Sequence, residues 1–175
     1  MTENKHNLWF TVFIILLRVI FTAAVAACVA FIFYNSAQVA QASSAASGKF
    51  TVLLNKALSC LPVEVVLSEH IVRKLAHIAE FALLGFLFTL CLRVYTKRLV
   101  AFSAWPLLFG LFIAVCDEFI QKFVPGRSSQ ITDIFIDFTG VCGGTLAAIT
   151  IVLFMQFFWW LFFGRRRKKR LAAEI

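Results

Sequence analysis

Charge is what this sequence has little of. Lys, Arg, Asp and Glu make up 15% of its 175 residues, against about 25% in ordinary soluble domains. The acidic side is thinner still, with nine Asp and Glu in all. A coat that sparse does not cover a soluble globule, and a soluble enzyme is excluded. Zinc patterns are also missing: the five cysteines form no CxxC and no His-spaced pair. Cys28, Cys91, Cys116 and Cys142 fall inside apolar runs, where a free thiol behaves as a small hydrophobe. Cys60 alone lies in a connection, and the odd count speaks against a disulfide framework. No Walker-type lysine follows Gly143, which therefore reads as a packing residue and not as part of a phosphate loop.

What fills the chain instead is hydrocarbon. Hydrophobic residues make up 61% of it, 21 of them Phe, and the mean hydropathy is +0.88. Four stretches meet the ~20 apolar residues that a membrane-spanning helix needs: 8–34, 75–92, 99–119 and 134–163. The second is the shortest and carries His77 and Glu80. The fourth exceeds one span and is expected to tilt or to run into an interface. The fold class is therefore all-α: one polytopic membrane domain, 1–175, with four transmembrane helices in a bundle. At the amino terminus, Val25-Ala26-Ala27-Cys28 resembles a lipoprotein cleavage site. Arg18 interrupts the preceding run, however, and the chain stays apolar through Phe33, so the segment reads as a permanent anchor. Trp9 and Tyr34 then mark its two interfaces.

The net charge of +8 is concentrated in Arg165, Arg166, Arg167, Lys168, Lys169 and Arg170, directly after the last span. The positive-inside rule makes that tail, 164–175, cytoplasmic. Arg93, Lys97 and Arg98 form a second basic turn on the same side. Both termini are then cytoplasmic in a multi-pass plasma-membrane protein, and the connections 35–74 and 120–133 lie outside. Anionic headgroups account for the basic run without any nucleic acid. In the first outer connection, the Ser-, Ala- and Gln-rich stretch 35–48 reads as a surface linker. Beyond it Phe50, Leu53, Leu54, Ala57, Leu58 and Leu61 recur at helical spacing, with Asn55, Lys56 and Ser59 opposite. This predicts an amphipathic helix, on the outer leaflet or against the bundle, ended by Pro62.

The polar residues converge in depth. Asn35 and Ser36 end the first span, and Arg73, Lys74, His77 and Glu80 begin the second. Asp117, Glu118 and Gln121 close the third, while Asp133 and Asp137 open the fourth. All four spans thus place polar groups at one level, and ionisable groups at membrane depth are functional candidates. Arg73, His77 and Glu80 share one side of a helix. Asp133, Asp137, Gly140 and Gly144 continue one stripe whose small residues let a neighbouring helix come close. An inward-facing pocket of mixed charge follows. His77 beside carboxylates suits a general acid or base, and Arg73, Lys74 and Arg127 suit a phosphate. His77, Glu80, Asp117 and Asp133 suit a divalent cation, while a buried ion-pair network fixing helix register needs no further role. His70 reads as a solvated interfacial residue, Pro125-Gly126 as a turn solvated by Ser128 and Ser129. Ser36 has no base beside it in the sequence to make it a nucleophile.

Three motifs in this order, KxxHxxE at Lys74-His77-Glu80, DExxQxxxPxR from Asp117 to Arg127, and Asp133 with Gly140 and Gly144, resemble the VanZ-like family of bacterial membrane proteins. The resemblance runs from Asn35-Ser36 to the last helix. Phe81 stands where that family often has Tyr, and Asp137 where it usually has Asn, which adds a carboxylate. The family takes its name from a protein associated with reduced susceptibility to the glycopeptide antibiotic teicoplanin. The resemblance implies functional positions at Lys74, His77, Glu80, Asp117, Glu118, Gln121, Arg127 and Asp133, and action at the cell envelope. The expectation is an outward-facing pocket that binds or modifies an envelope lipid or lipid-linked wall precursor. Its catalytic form would use His77, Glu80, Asp117, Glu118 and Asp133. Asn35, Ser36, Lys74, Gln121, Arg127 and Asp137 would hold substrate, with a divalent cation as the candidate cofactor. The rivals are a non-enzymatic headgroup-binding or drug-shielding protein and, less well supported, a small transporter, whose polar groups should continue to the inner side.

Overall fold

Long apolar runs with few breakers leave the backbone no partner but itself, and in lipid that selects helix. The computed structural model describes residues 2–59, 66–127 and 129–164, and its elements are all helical. They are α1 (Thr2–Ser36), α2 (Ala40–Leu58), α3 (Glu69–Tyr95), a 3-10 turn (Val100–Phe102), α4 (Ala104–Gln121) and α5 (Ile131–Trp159), which runs on into a π turn (Trp160–Gly164). Four segments are long and apolar enough to cross a membrane: Leu8–Ser36, Glu69–Tyr95, Val100–Gln121 and Ile131–Phe162. Cys60, the Pro62 stop and the basic run 165–170 lie outside the described residues.

Two boundaries differ from the sequence expectation. The helix α3 starts at Glu69, well before the apolar run at 75. Ser68 caps it by accepting from the Ile71 amide, and Glu69 sits in its first turn. A capped polar turn is invisible to hydropathy. Arg73 is thus helical, as the side it shares with His77 and Glu80 led one to expect, and Lys74 is helical with it. The second difference is α2, which begins at Ala40 inside the stretch read as linker. Ala-rich sequence without proline has the propensity for helix, whatever its likeness to a linker.

The bundle closes around Val25, Cys28 and Ile32 of α1, Phe81, Leu84 and Cys91 of α3, Ile113 and Ala114 of α4, and Val141 of α5. Its closest seam joins α3 to α5. A Cβ on Gly140 would strike the Ile78 carbonyl, and one on Gly144 the Ala82 carbonyl. From the other side, a Cβ on Gly85 would meet the Val141 carbonyl. Backbones that near gain dispersion contacts that lipid tails cannot replace. Gly143 is different: it is exposed with open space around it, so the packing role expected of it is not found. At the far end Arg18 donates to the Val94 carbonyl at 3.4 Å and lies 5.1 Å from the Tyr95 ring centroid. The residue that interrupts the first apolar run thus fastens α1 to the carbonyl end of α3. The helix α2 packs against α3. The Asn55 side chain donates to the Leu67 carbonyl at 3.1 Å and accepts from its amide at 2.9 Å, while Phe50 and Leu53 stay exposed.

Candidate functional site

The C-terminal ends of α1 and α4 and the N-terminal turns of α3 and α5 meet at one end of the bundle, as the up-down order of four helices requires. The connection from α4 to α5 folds over them. Gly126, at φ 79°, takes the left-handed conformation that a side chain would resist, and the Arg127 amide closes that turn onto the Val124 carbonyl at 3.2 Å. The chain therefore turns back, and Arg127 Nη2 reaches the Asn35 carbonyl at 3.0 Å.

The site has two layers. The deeper one is built from Asn35, Ser36, Glu80 and Asp117. Asp117 is fully buried; its Oδ1 accepts from the Ser36 hydroxyl and its Oδ2 from Gln121 Nε2 at 2.8 Å. Glu80 Oε1 accepts from Asn35 Nδ2 at 2.9 Å. Above this layer lies a cavity of about 90 Å³. Its cationic wall is Arg73, Lys74 and Arg127, and its acidic wall is Glu118, Asp133 and Asp137, with His77 and Gln121 between them. Glu118 Oε2 accepts from the Gln130 amide at 3.1 Å. Lys74 Nζ stands 3.1 Å from Asp133 Oδ1, a charge contact without the angles of a directed hydrogen bond.

Several groups here lack partners. His77 Nδ1, Glu80 Oε2 and Arg127 Nε are buried with no hydrogen bond. Asp137 is 2% exposed, and among the described residues no donor meets its carboxyl. The carboxyls of Asp117, Glu118, Asp133 and Glu80 all act on it electrostatically. Burial, and after it the neighbouring Arg73 guanidinium, lower Arg127 from its ordinary value, so an incoming anion would relieve the cost of holding that charge. One ligand atom each from His77, Asp117 and Asp137 fall within 4.8 Å of one another.

All the residues expected from sequence gather at this end, in different positions. Lys74, His77, Glu118, Gln121, Arg127, Asp133 and Asp137 line the cavity. Asn35, Ser36, Glu80 and Asp117 stand behind it and orient one another. Ser36, fully buried, donates to a carboxylate, a positioning role in place of a nucleophile's. Gln130 and His70 line the cavity without having been expected there. The signal for His70 was its spacing of seven from His77, two turns along one helix face.

The family model described as VanZ/LLP1 matches residues 21–155, which takes in every site residue above. No curated protein and no solved structure matches the chain. With the match running from the middle of α1 almost to the end of α5, the chain belongs to the VanZ/LLP1 family.

Proposed function

We propose that the pocket takes the phosphate-bearing headgroup of an envelope lipid or a lipid-linked cell-wall precursor, and that holding or altering it lowers susceptibility to teicoplanin. The carrying observation is that Arg73, Lys74 and Arg127 line one cavity at an end of a membrane bundle, facing His77 and carboxylates. Headgroups lie at that depth, and guanidinium and ammonium groups together are the usual means of gripping phosphate. The exposed Phe50 and Leu53 of α2, beside α3, would lie against acyl chains. The basic run 165–170 and the Arg93, Lys97, Arg98 turn favour an orientation with both termini in the cytoplasm of a plasma-membrane protein. The pocket then faces outward.

In the catalytic form His77 moves the proton, with Asp117 and Asp137 within 4.8 Å of it, and Lys74 and Arg127 hold phosphate. Glu118 and Asp133 orient the reacting hydroxyl, and Glu80 supports the deeper layer through Asn35. The rival is a pocket that recognises headgroups without changing them.

His77→Ala, Asp117→Asn and Arg127→Ala should each return teicoplanin susceptibility to that of cells lacking the protein, at unchanged protein levels. Full effect in all three variants would sink the reading. Lipid profiles of cells with and without the protein separate the two forms, because the enzyme alone requires a gained or lost covalent species.

A further inference from the structure

We infer that His77, Asp117 and Asp137 form a divalent-cation site of the Mn²⁺ type in the floor of the pocket. Three helices supply one ligand each: α3, α4 and α5. Their ligand atoms lie within 4.8 Å of one another. Two ligand atoms at ~2.1 Å from a common ion stand at most ~4.2 Å apart, so small side-chain movements close the site. Two carboxylate oxygens and one imidazole suit Mn²⁺ better than Ca²⁺ or Mg²⁺, which prefer oxygen alone.

Independent observations point to a ligand at this place. Asp137 is 2% exposed, lines the cavity and receives no hydrogen bond from the described residues. A buried carboxyl in that condition is costly to ionise unless it is paired or coordinated. His77 Nδ1 is likewise buried without a partner. Asp117 is held by Ser36 from behind and by Gln121 from the cavity side, the outer support that aims a metal ligand. Carboxyls outnumber cations around this place, with Glu80, Asp117, Glu118, Asp133 and Asp137 against Arg73, Lys74 and Arg127, and a divalent ion binds such a cluster with release of the protons its ligands hold.

Glu80 and Asp133, ligand candidates by sequence, fall outside the group whose ligand atoms lie within 4.8 Å of one another; Glu80 Oε1 accepts from Asn35 at 2.9 Å and Asp133 Oδ1 stands 3.1 Å from Lys74. Three protein ligands leave open positions toward Arg73, Lys74 and Arg127, where a phosphate oxygen can complete the coordination. That last role rests on the function proposed above; the metal site does not.

The test is a titration of the purified full chain, in a phosphate-free detergent, with Mn²⁺ followed by loss of its free electron-spin resonance signal. One ion should bind per chain. Asp137→Asn and His77→Ala should each weaken binding by about 100-fold or more, and Ser36→Ala by about 10-fold through the outer support of Asp117. Glu69→Gln, an exposed carboxylate outside the pocket, should change nothing. Mn²⁺ should raise the unfolding temperature of the parent chain and leave that of Asp137→Asn unmoved. That comparison reads the site without requiring the two proteins to be equally stable. Stoichiometric binding that survives intact in both Asp137→Asn and His77→Ala, or no binding to the folded parent, overturns the site. Adding a short-chain phosphatidic acid should tighten Mn²⁺ binding. Tight binding that the lipid leaves unchanged sinks the phosphate reading and keeps the metal.

Discussion

Asp117 holds the deeper layer together, because both of its oxygens are engaged by side chains, one by Ser36 behind the cavity and one by Gln121 at its lining. Replacing Ser36 with Ala removes the donor to Oδ1 at a place where Ser36 and Asp117 are both fully buried. A buried acceptor stripped of its partner costs about 1–3 kcal/mol, so Ser36→Ala should unfold at a lower temperature in detergent by that amount, measured as a shift in the thermal transition. An unchanged transition would show that the hydroxyl does not support Asp117. Residues of this kind were legible in the sequence as positions, since charge in an apolar chain announces itself. Their pairings were not. Glu80 meets Asn35 and not His77, and Asp137, not Asp133, joins the group that His77 and Asp117 form. A helix rotated by one residue, ~100°, changes every partner, and no sequence spacing fixes the rotation of one helix against another.

At the scale of the element, the seam between α3 and α5 sets how the site is assembled, since these helices carry His77 on one side and Asp137 on the other. Gly144 and Gly143 are adjacent in sequence and opposite in consequence. A side chain at 144 meets the Ala82 backbone, which cannot swing aside as the end of a flexible side chain can. At 143 there is open space. Gly144→Val should therefore destabilise the bundle by roughly 1–3 kcal/mol or more and impair the pocket along with it. Gly143→Ala should be neutral, as thermal unfolding in detergent would report. Equal behaviour of the two would contradict the seam. The stripe 133, 137, 140, 144 made this packing readable in advance, because small residues at helical spacing have few other uses in a membrane. The helical start of α2 at Ala40 and the early start of α3 at Glu69 were not readable from apolar runs. The first depends on the propensity of alanine, the second on a single capping serine.

Across the whole molecule, hydrocarbon content dictates helices, so the four-helix architecture was the most legible part, while charge supplies an orientation that has to be tested. Orientation carries the functional argument, because a pocket facing the cytoplasm meets different lipids and no wall precursor beyond the membrane. Two exposed positions separate the alternatives: Lys122, just after α4 beside the pocket, and Lys97, in the turn between α3 and α4 at the opposite end. With Cys60 replaced by Ser to clear the one native thiol in a connection, Lys122→Cys should react with a membrane-impermeant maleimide on intact cells. Lys97→Cys should react only after the membrane is opened. Removing Lys122 takes a positive charge from the side meant to have few, and the basic tail stays whole in both variants, so neither change works against the rule under test. Labelling in the reverse order would turn the pocket inward and end the envelope-lipid reading. The cation site would remain, since His77, Asp117 and Asp137 meet one another whichever side they face.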